Sequence, residues 1–336
     1  MANEKDEDTA CIFVGSDRSQ SFAVPVLEHS IKRHTSLNIK LRSMHDVVLP
    51  SPKDIRQGKR TGFSFARFAI PRLMGYKGRA VYLDADMLVF RNFRELRNLP
   101  FGGAKIIIQE DLPGKAQNQA KPGALKKRVK QCSVMLLDCE ALKDWDPVRI
   151  IEGLDGQYTY QELLYEMCIL DESEINYGVP FEWNSLEHYE PGKTGLIHFT
   201  DMNTQPWVYA NNPNGYLFHE EVRVMLENGA MSMTQIENEV KLGYLRPSLI
   251  QEIKDAGAGP VRSITPEQVK RYDALDVSAG FVKHRAVHEA ARDRAAAVKA
   301  YEAKLAREKG PAAAIAHAAR SGLVRTLGSL KRRLGS

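Results

Sequence analysis

Over about the first 200 positions, short apolar runs ending at turn residues alternate with stretches whose apolar residues recur every three or four positions. Ile12-Phe13-Val14, broken by Gly15-Ser16-Asp17, predicts a buried strand entering a turn. Between Phe22 and Arg33 the spacing of Val26, Leu27, Ser30 and Ile31 predicts a helix, and Asn38 to Leu41 a second strand. A polar stretch with Pro50, Pro52 and Gly58 follows as a loop, and then Ser64 to Met74 reads as a helix that Pro71 should kink or shorten. Arg79 to Leu83, Ala104 to Gln109, Val134 to Leu137 and Leu196 to His198 are further strand-like runs. Tyr160 to Ile169 reads as a helix, and residues 111–130, rich in Gly, Pro, Lys and Gln, as a flexible loop. The rhythm predicts an α/β fold: a twisted, mostly parallel sheet with crossover helices on its faces.

Beyond about residue 215 the strand pattern stops. Residues 264–308 are rich in Ala, Lys, Arg and Glu, poor in β-branched residues, and predict helix. The span 258–263 reads as a linker, and Gly310-Pro311 interrupts the pattern before a final helix over about 312–333. The expected division is an α/β domain over 1–215 and a helical extension over 216–336. There is no internal repeat.

Composition narrows the class. The chain has 336 residues, 43% of them apolar and 26% charged, as an ordinary globular protein does. A net charge of +5 suits an anionic ligand and is too small to argue for nucleic acid, and the basic residues lack aromatic interleaving. The acidic N-terminal stretch has no apolar core and so is not a signal peptide. No run approaches the ~20 apolar residues of a membrane span. Cys11, Cys132, Cys139 and Cys168 form no Cys-x-x-Cys pair and suit reduced thiols in the cytoplasm.

The chemistry concentrates at Val81-Tyr82-Leu83-Asp84-Ala85-Asp86. Two acids two residues apart end an apolar strand, where ligands of open α/β sheets gather. At a turn they can grip one hard cation, Mn²⁺ or Mg²⁺, which in turn holds a diphosphate. Burying two carboxylates without compensation is costly, so something must offset them. His198, closing Gly195-Leu196-Ile197, gains meaning as a third ligand only beside these acids. Trp207 in Gln205-Pro206-Trp207 reads first as core and second as a ligand neighbour. Glu110 and Asp111, after the Ile106-Ile107-Ile108 run, read equally as sugar-hydroxyl ligands and as a solvated turn.

These landmarks, in this order, resemble retaining glycosyltransferase family 8. The resemblance runs from about Cys11 to Trp207. Ile12 to Asp17 resembles the first strand and base-binding turn, and Ser64-Phe65-Ala66-Arg67-Phe68-Ala69-Ile70-Pro71 the helix carrying a donor-contacting Arg. Tyr82-Leu83-Asp84-Ala85-Asp86 resembles the metal motif, and Phe181-Glu182-Trp183-Asn184 and His198…Pro206-Trp207 the closing motifs. The resemblance implies a GT-A fold, with Asp84, Asp86 and His198 on Mn²⁺, Mg²⁺ being the alternative. It implies a UDP-sugar donor met by Gly15, Asp17, Arg67, Asp84, Gln131, Trp183, Asn184, Gln205 and Trp207. Asp17 would contact the uracil.

Departures from the family pattern are specific. Gln131-Cys132-Ser133 stands where the family has Asn-Ala-Gly or Asn-Ser-Gly, and Tyr160-Gln161-Glu162 replaces its Asp-Gln-Asp. Gln205 stands where a Lys normally meets the diphosphate; Arg60, Lys193 or a Lys of the 115–130 loop are candidate substitutes. Gln161 matches the position beneath the anomeric carbon, and a neutral amide is a poor nucleophile. The expected mechanism is therefore front-face attack, with Gln161 and Asp111 as the candidate catalytic residues. Alternatives are a sugar-nucleotide-binding protein without transferase activity and a metal-dependent nucleotidyltransferase or phosphohydrolase. No acid follows Glu308, and Leu323, Leu327, Leu330 and Leu334 recur at helical spacing among Arg and Lys. Such a helix can lie on an anionic membrane, which would suit a lipid-linked acceptor as well as a soluble carbohydrate.

Overall fold

A computed structural model describes residues 8–53, 55, 63–109, 131–154, 156–257 and 264–316, apart from the side chains of Phe63, Gln131 and Gln161. Strand β1 (Thr9–Gly15) is buried on both faces from Ile12 onward, as a central strand must be. After a 3-10 turn (Arg18–Gln20), helix α1 (Ala23–Arg33) buries Val24, Leu27 and Ile31 against the sheet at helical spacing. Strand β2 (Asn38–Ser43) alternates exposed and half-buried residues and forms one edge. The span Ser64 to Met74 is not one helix: α2 (Phe63–Ala66), a 3-10 turn (Arg67–Ala69) and α3 (Ile70–Leu73) follow in series. Pro71 sits in the first turn of α3, where its missing N–H is not needed.

Strands β3 (Arg79–Asp84), β4 (Met87–Val89), β5 (Ile106–Gln109), β6 (Gln131–Asp138) and β7 (Ile175–Val179) follow, with α4 (Arg94–Arg97), α5 (Pro147–Gly153) and α6 (Tyr160–Glu166) between them. Helix α6 starts on a Thr159–Glu162 capping box and stops at Met167, whose φ of 48° ends it before Ile169. The main sheet has six strands in the order β2-β1-β3-β6-β5-β7. Three of its five ladders are parallel, and β6 runs antiparallel to both neighbours. A smaller sheet joins β4 to β9 (Leu196–His198) and β9 to β8 (Ser185–Leu186). Alternate residues of the central strands enter opposite cores: Phe13 and Tyr82 on one face, Ile12, Val14, Val81 and Leu83 on the other.

From residue 215 the described chain is helical: α7 (Gly215–Glu227), α8 (Met233–Lys241), α9 (Ser248–Ala256), α10 (Pro266–Ser278) and α11 (Arg285–Lys309). A third core runs across residue 215, packing Phe22, Val26, Leu88, Ile197, Phe199 and Trp207 on Phe218, Val222, Ile236 and Leu249. Beside it a buried polar network joins α7, α9 and α10. Arg246 pairs with Glu252 and donates to Ser248 Oγ at 2.6 Å, while Ser248 Oγ donates to Asp276 Oδ2 at 2.7 Å. His219 Nδ1 lies 2.6 Å from Glu252 Oε1. No described helix is long and apolar enough to cross a membrane. The basic tail from residue 317 onward, the 258–263 linker, the 111–130 loop and Arg60 lie outside the described residues.

Candidate metal centre

Asp84 is the last residue of β3, beside Gly15 at the end of β1 in the parallel register. With β1 flanked by β2 and β3, the crevice beyond this pair of strand ends is the topological switch point where α/β sheets bind ligands. After Ala85 the chain turns into β4, whose antiparallel partner β9 sets Met87 opposite His198. Phe199 N donates to Asp86 O at 2.8 Å and locks the turn. Ligand atoms of Asp84, Asp86 and His198 thereby come within 4.8 Å of one another.

Each of the three side chains is held from behind. Asp86 Oδ1 lies 3.1 Å from His198 Nε2, and Gln205 Nε2 donates to Asp86 Oδ2 at 2.8 Å. His198 Nδ1 lies 3.0 Å from Asn184 Oδ1. Asn184 spends its amide nitrogen on Gln109 Oε1 (2.7 Å) and Ser133 Oγ (3.0 Å), and Gln109 Nε2 returns a bond to Asn184 O (3.2 Å). That leaves Asn184 Oδ1 as an acceptor and makes His198 Nδ1 the donor, so Nε2 faces the carboxylates. This is the tautomer a metal-ligating imidazole needs, with a fixed outer partner. On the other side, Tyr82 OH donates to Asp84 Oδ1 at 2.7 Å and receives a bond from Arg67 Nη2 at 3.1 Å.

The electrostatics match a cation site. Its poorly solvated position raises the Asp84 carboxyl above the usual range, with the charge of Asp86 adding to this, against the opposing pull of Arg67 and His198. Burial disfavours charge on His198, but Asp86 and Asp84 outweigh it and raise its pKa. Burial also holds the Tyr82 phenol well above its ordinary pKa, so it remains a donor. Two carboxylates and an inward imidazole nitrogen form a donor set that suits a divalent cation.

The structure distributes the other predicted residues more widely. Arg67, 6% exposed, is spent inside: it donates to Cys132 O at 2.6 Å, stacks over Tyr82 and stays 3.9 Å from Asp84. Its surroundings make it a support for Asp84 rather than a surface ligand. Gly15 matters for space, since a Cβ there would lie 2.0 Å from the Tyr82 hydroxyl. Trp183 (3% exposed) meets Phe93 edge-on in one core, and Trp207 (0%) packs on Phe218 in another, so both rings are core and neither offers a face to a ligand. Asn184 and Gln205 are fully buried and turn to His198 and Asp86 rather than outward; Gln205 Oε1 has no partner among the described residues. Asp17 is half-buried at the crevice, its Oδ1 accepting from Ser19 N at 2.8 Å. Gln161 lies in the first turn of α6 and Gln131 begins β6, but their side chains, and the whole of Glu110 and Asp111, lie outside the described residues. Lys193 is exposed and paired with Glu190 at 2.5 Å. Sequence reasoning missed Tyr82, Gln109 and Ser133; Tyr82 was readable, because residues two apart on a strand share a face with Asp84.

No protein-family model matches the chain. It is 29% identical over 204 residues to Protein CDI of Arabidopsis thaliana, an alignment covering 58% of this chain and 74% of that one. Among solved structures it is similar to the bifunctional glycosyltransferase WbbM in its apo state, at 13% identity and a TM-score of 0.44, over 66% of this chain and 50% of that one. It thus spans half the length of WbbM. It is also similar to the galactosyltransferase LgtC in complex with donor and acceptor sugar analogs, at 13% identity and a TM-score of 0.45, over 63% of this chain and 95% of that one.

Proposed function

We propose that the chain is a metal-dependent glycosyltransferase of the family 8 kind, moving a hexose from a UDP-sugar to a carbohydrate or lipid-linked acceptor with retention of configuration. The observation that carries this reading is the Asp84–Asp86–His198 group at the sheet's switch point, with His198 held by Asn184 in the ligating tautomer. Mn²⁺ is the proposed ion, since an imidazole beside two carboxylates suits it better than Mg²⁺. Held there, the ion would supply charge neutralisation for the departing diphosphate.

The chain's own residues do the rest. Asp17 and the Gly15 turn lie one strand from Asp84, so a nucleotide laid along the strand ends reaches from base turn to acids. Tyr82 and Arg67 hold Asp84 in place, and Gln205 and Asn184 hold Asp86 and His198. The front-face course and the roles of Gln161, Gln131 and Asp111 rest on the family resemblance. So do the cytoplasmic setting and membrane contact through the basic tail on the sequence reading, as does the division at residue 215.

Gln205 favours one second reading. Its amide is committed to Asp86 rather than to a diphosphate, which weakens donor activation and suits a protein that binds nucleotide sugars without transfer. One experiment separates the two. The full chain is incubated with UDP-glucose, UDP-galactose, UDP-N-acetylglucosamine and GDP-mannose, with Mn²⁺ or EDTA, and released nucleotide is quantified. Mn²⁺-dependent release from one UDP-sugar supports the transferase and names the donor. Stabilisation by UDP without release supports binding alone, and neither result removes both readings.

A further inference from the structure

On the far side of β1 from Asp84, three polar side chains are joined in a chain. Parallel pairing sets Gly15 beside Asp84 on one side of β1, and Val14 beside Ser43, the last residue of β2, on the other. Met44 N then donates to Val14 O at 2.8 Å and Ala85 N to Gly15 O at 3.1 Å, so both flanking strands end level with β1. Ser43 therefore lies two strand spacings from Asp84, about 10 Å. That is the order of reach of a nucleoside diphosphate from its phosphates to its base.

Ser16 Oγ lies 2.9 Å from Ser43 Oγ, and Ser43 Oγ lies 2.9 Å from His45 Nδ1. Burial decides which way the protons run. Ser16 is 1% exposed, and among the described residues its hydroxyl has no hydrogen-bond partner besides Ser43. A buried hydroxyl proton left unspent is costly, so Ser16 donates to Ser43. Ser43 spends its own proton on the acceptor beside it, His45 Nδ1. That sets the tautomer, with the ring proton on Nε2. His45 is exposed, and Nε2 has no hydrogen-bond partner among the described residues. The chain thus ends in an outward N–H donor tethered to the end of β2.

Asp17 follows Ser16 directly. Its Oδ1 accepts from Ser19 N (2.8 Å) and Ser19 Oγ (2.5 Å), and its Oδ2 has no hydrogen-bond partner among the described residues. A carboxylate only accepts, and this edge of the imidazole only donates. The edge of uracil is the complement, an N–H donor flanked by carbonyl acceptors.

We propose that His45 reads the base of the donor nucleotide, Nε2–H donating to a uracil carbonyl while Asp17 takes the neighbouring base N–H. Ser16 and Ser43 are positioning residues that set the tautomer of His45. This rests on the UDP-sugar reading above. It puts the base over the ends of β1 and β2 and the diphosphate at Asp84.

The test titrates the full chain with Mn²⁺ and then, in Mn²⁺, with UDP and with ribose 5-diphosphate, which lacks the base. His45 is exposed, so its variants keep the fold. His45→Leu should weaken UDP about tenfold, a typical cost for one ligand hydrogen bond, and leave ribose 5-diphosphate and Mn²⁺ unchanged. His45→Gln returns an N–H near the Nε2 position and should recover part of the loss. Ser43→Ala frees the ring without removing it, and should weaken UDP less than His45→Leu does, again without touching ribose 5-diphosphate. UDP binding by His45→Leu equal to that of the parent chain overturns the proposal. So does an equal loss for UDP and ribose 5-diphosphate, which assigns the effect to something other than the base. A parent chain that binds Mn²⁺ but no UDP removes the donor reading itself, and this proposal with it.

Discussion

Among the described residues, two groups of buried and half-buried acids are balanced oppositely. Among the helices, Glu252 sits between Arg246 and His219. Burial works against its charge, but these neighbours outweigh it and hold the carboxyl at about 2. At the strand ends, Asp84 has Arg67 no nearer than 3.9 Å, and its carboxyl is raised. Asp276 shows the intermediate case: it is bonded to Ser248 rather than to a cation, and burial keeps its carboxyl raised. A cluster closed on its own positive charge is structural, whereas one left short of positive charge is poised to take it from a ligand. Both places set carboxylates beside a histidine, and they differ in the supply of counter-charge.

Opening the closed cluster should have the largest effect. Arg246→Met leaves Glu252 buried without its guanidinium and releases Pro206 O, and should cost about 3–5 kcal/mol of stability in urea unfolding. Because Pro206 adjoins Gln205, Mn²⁺ affinity should also fall; an unchanged affinity would show that the helices and the metal acids are independent.

The pH response gives the next effect. A carboxyl at about 2 when folded, against the ordinary 4.5, stabilises fully above 4.5 and loses that contribution as pH falls through 2. The loss should approach about 3 kcal/mol at one pH unit per 1.36 kcal/mol. Urea midpoints measured from pH 5 to pH 2 should fall steeply in the parent chain and less steeply in Glu252→Gln. Equal slopes would mean that other carboxylates carry the acid sensitivity.

At the open cluster, Asn184→Leu frees the His198 ring and strands Gln109 Oε1. Mn²⁺ affinity should drop about 10- to 100-fold, the usual cost of losing an outer partner of a metal ligand. A calorimetric titration reads it. Affinity within twofold of the parent would show that β9 alone orients the imidazole.

How much of this was legible depended on separation along the chain. Asp84 and Asp86 stood out because acids interrupting an apolar run demand compensation, and the strands from β1 to β3 and β9 were readable from their runs. β7, Ile-Asn-Tyr-Gly-Val, was not, since its polar residues and Gly178 break any alternation. Trp183 and Trp207 look the same in sequence whether they face a ligand or fill a core, and only packing against Phe93 and Phe218 decided it. Gln205 and Asn184 were noticed as motif positions but assigned outward, because their partners lie 119 and 75 residues away. The Arg246 network reads, in sequence, as ordinary solvated charge on helices. His45 carries no motif at all; its position follows from the serines that join the end of β2 to the turn after β1.

The smallest effect should come from the rim of the crevice. Arg18 joins the turn after Asp17 to α8 through Glu239 and Tyr244, and its side chain is 44% exposed. Water screens such a pair, so Arg18→Ala should cost no more than about 1 kcal/mol of stability. Its consequence for binding separates two views of the helices. If they only fill space behind the third core, UDP affinity in Mn²⁺ should not respond to Arg18. If they hold the base turn in register with the metal acids, UDP affinity should fall two- to threefold while Mn²⁺ affinity stays fixed, because Asp84, Asp86 and His198 share no hydrogen bond with Arg18. Restoring the contact in a charge-swapped pair, Arg18→Glu with Glu239→Arg, should then recover the loss; failure to recover would assign the effect to the Tyr244 stacking instead.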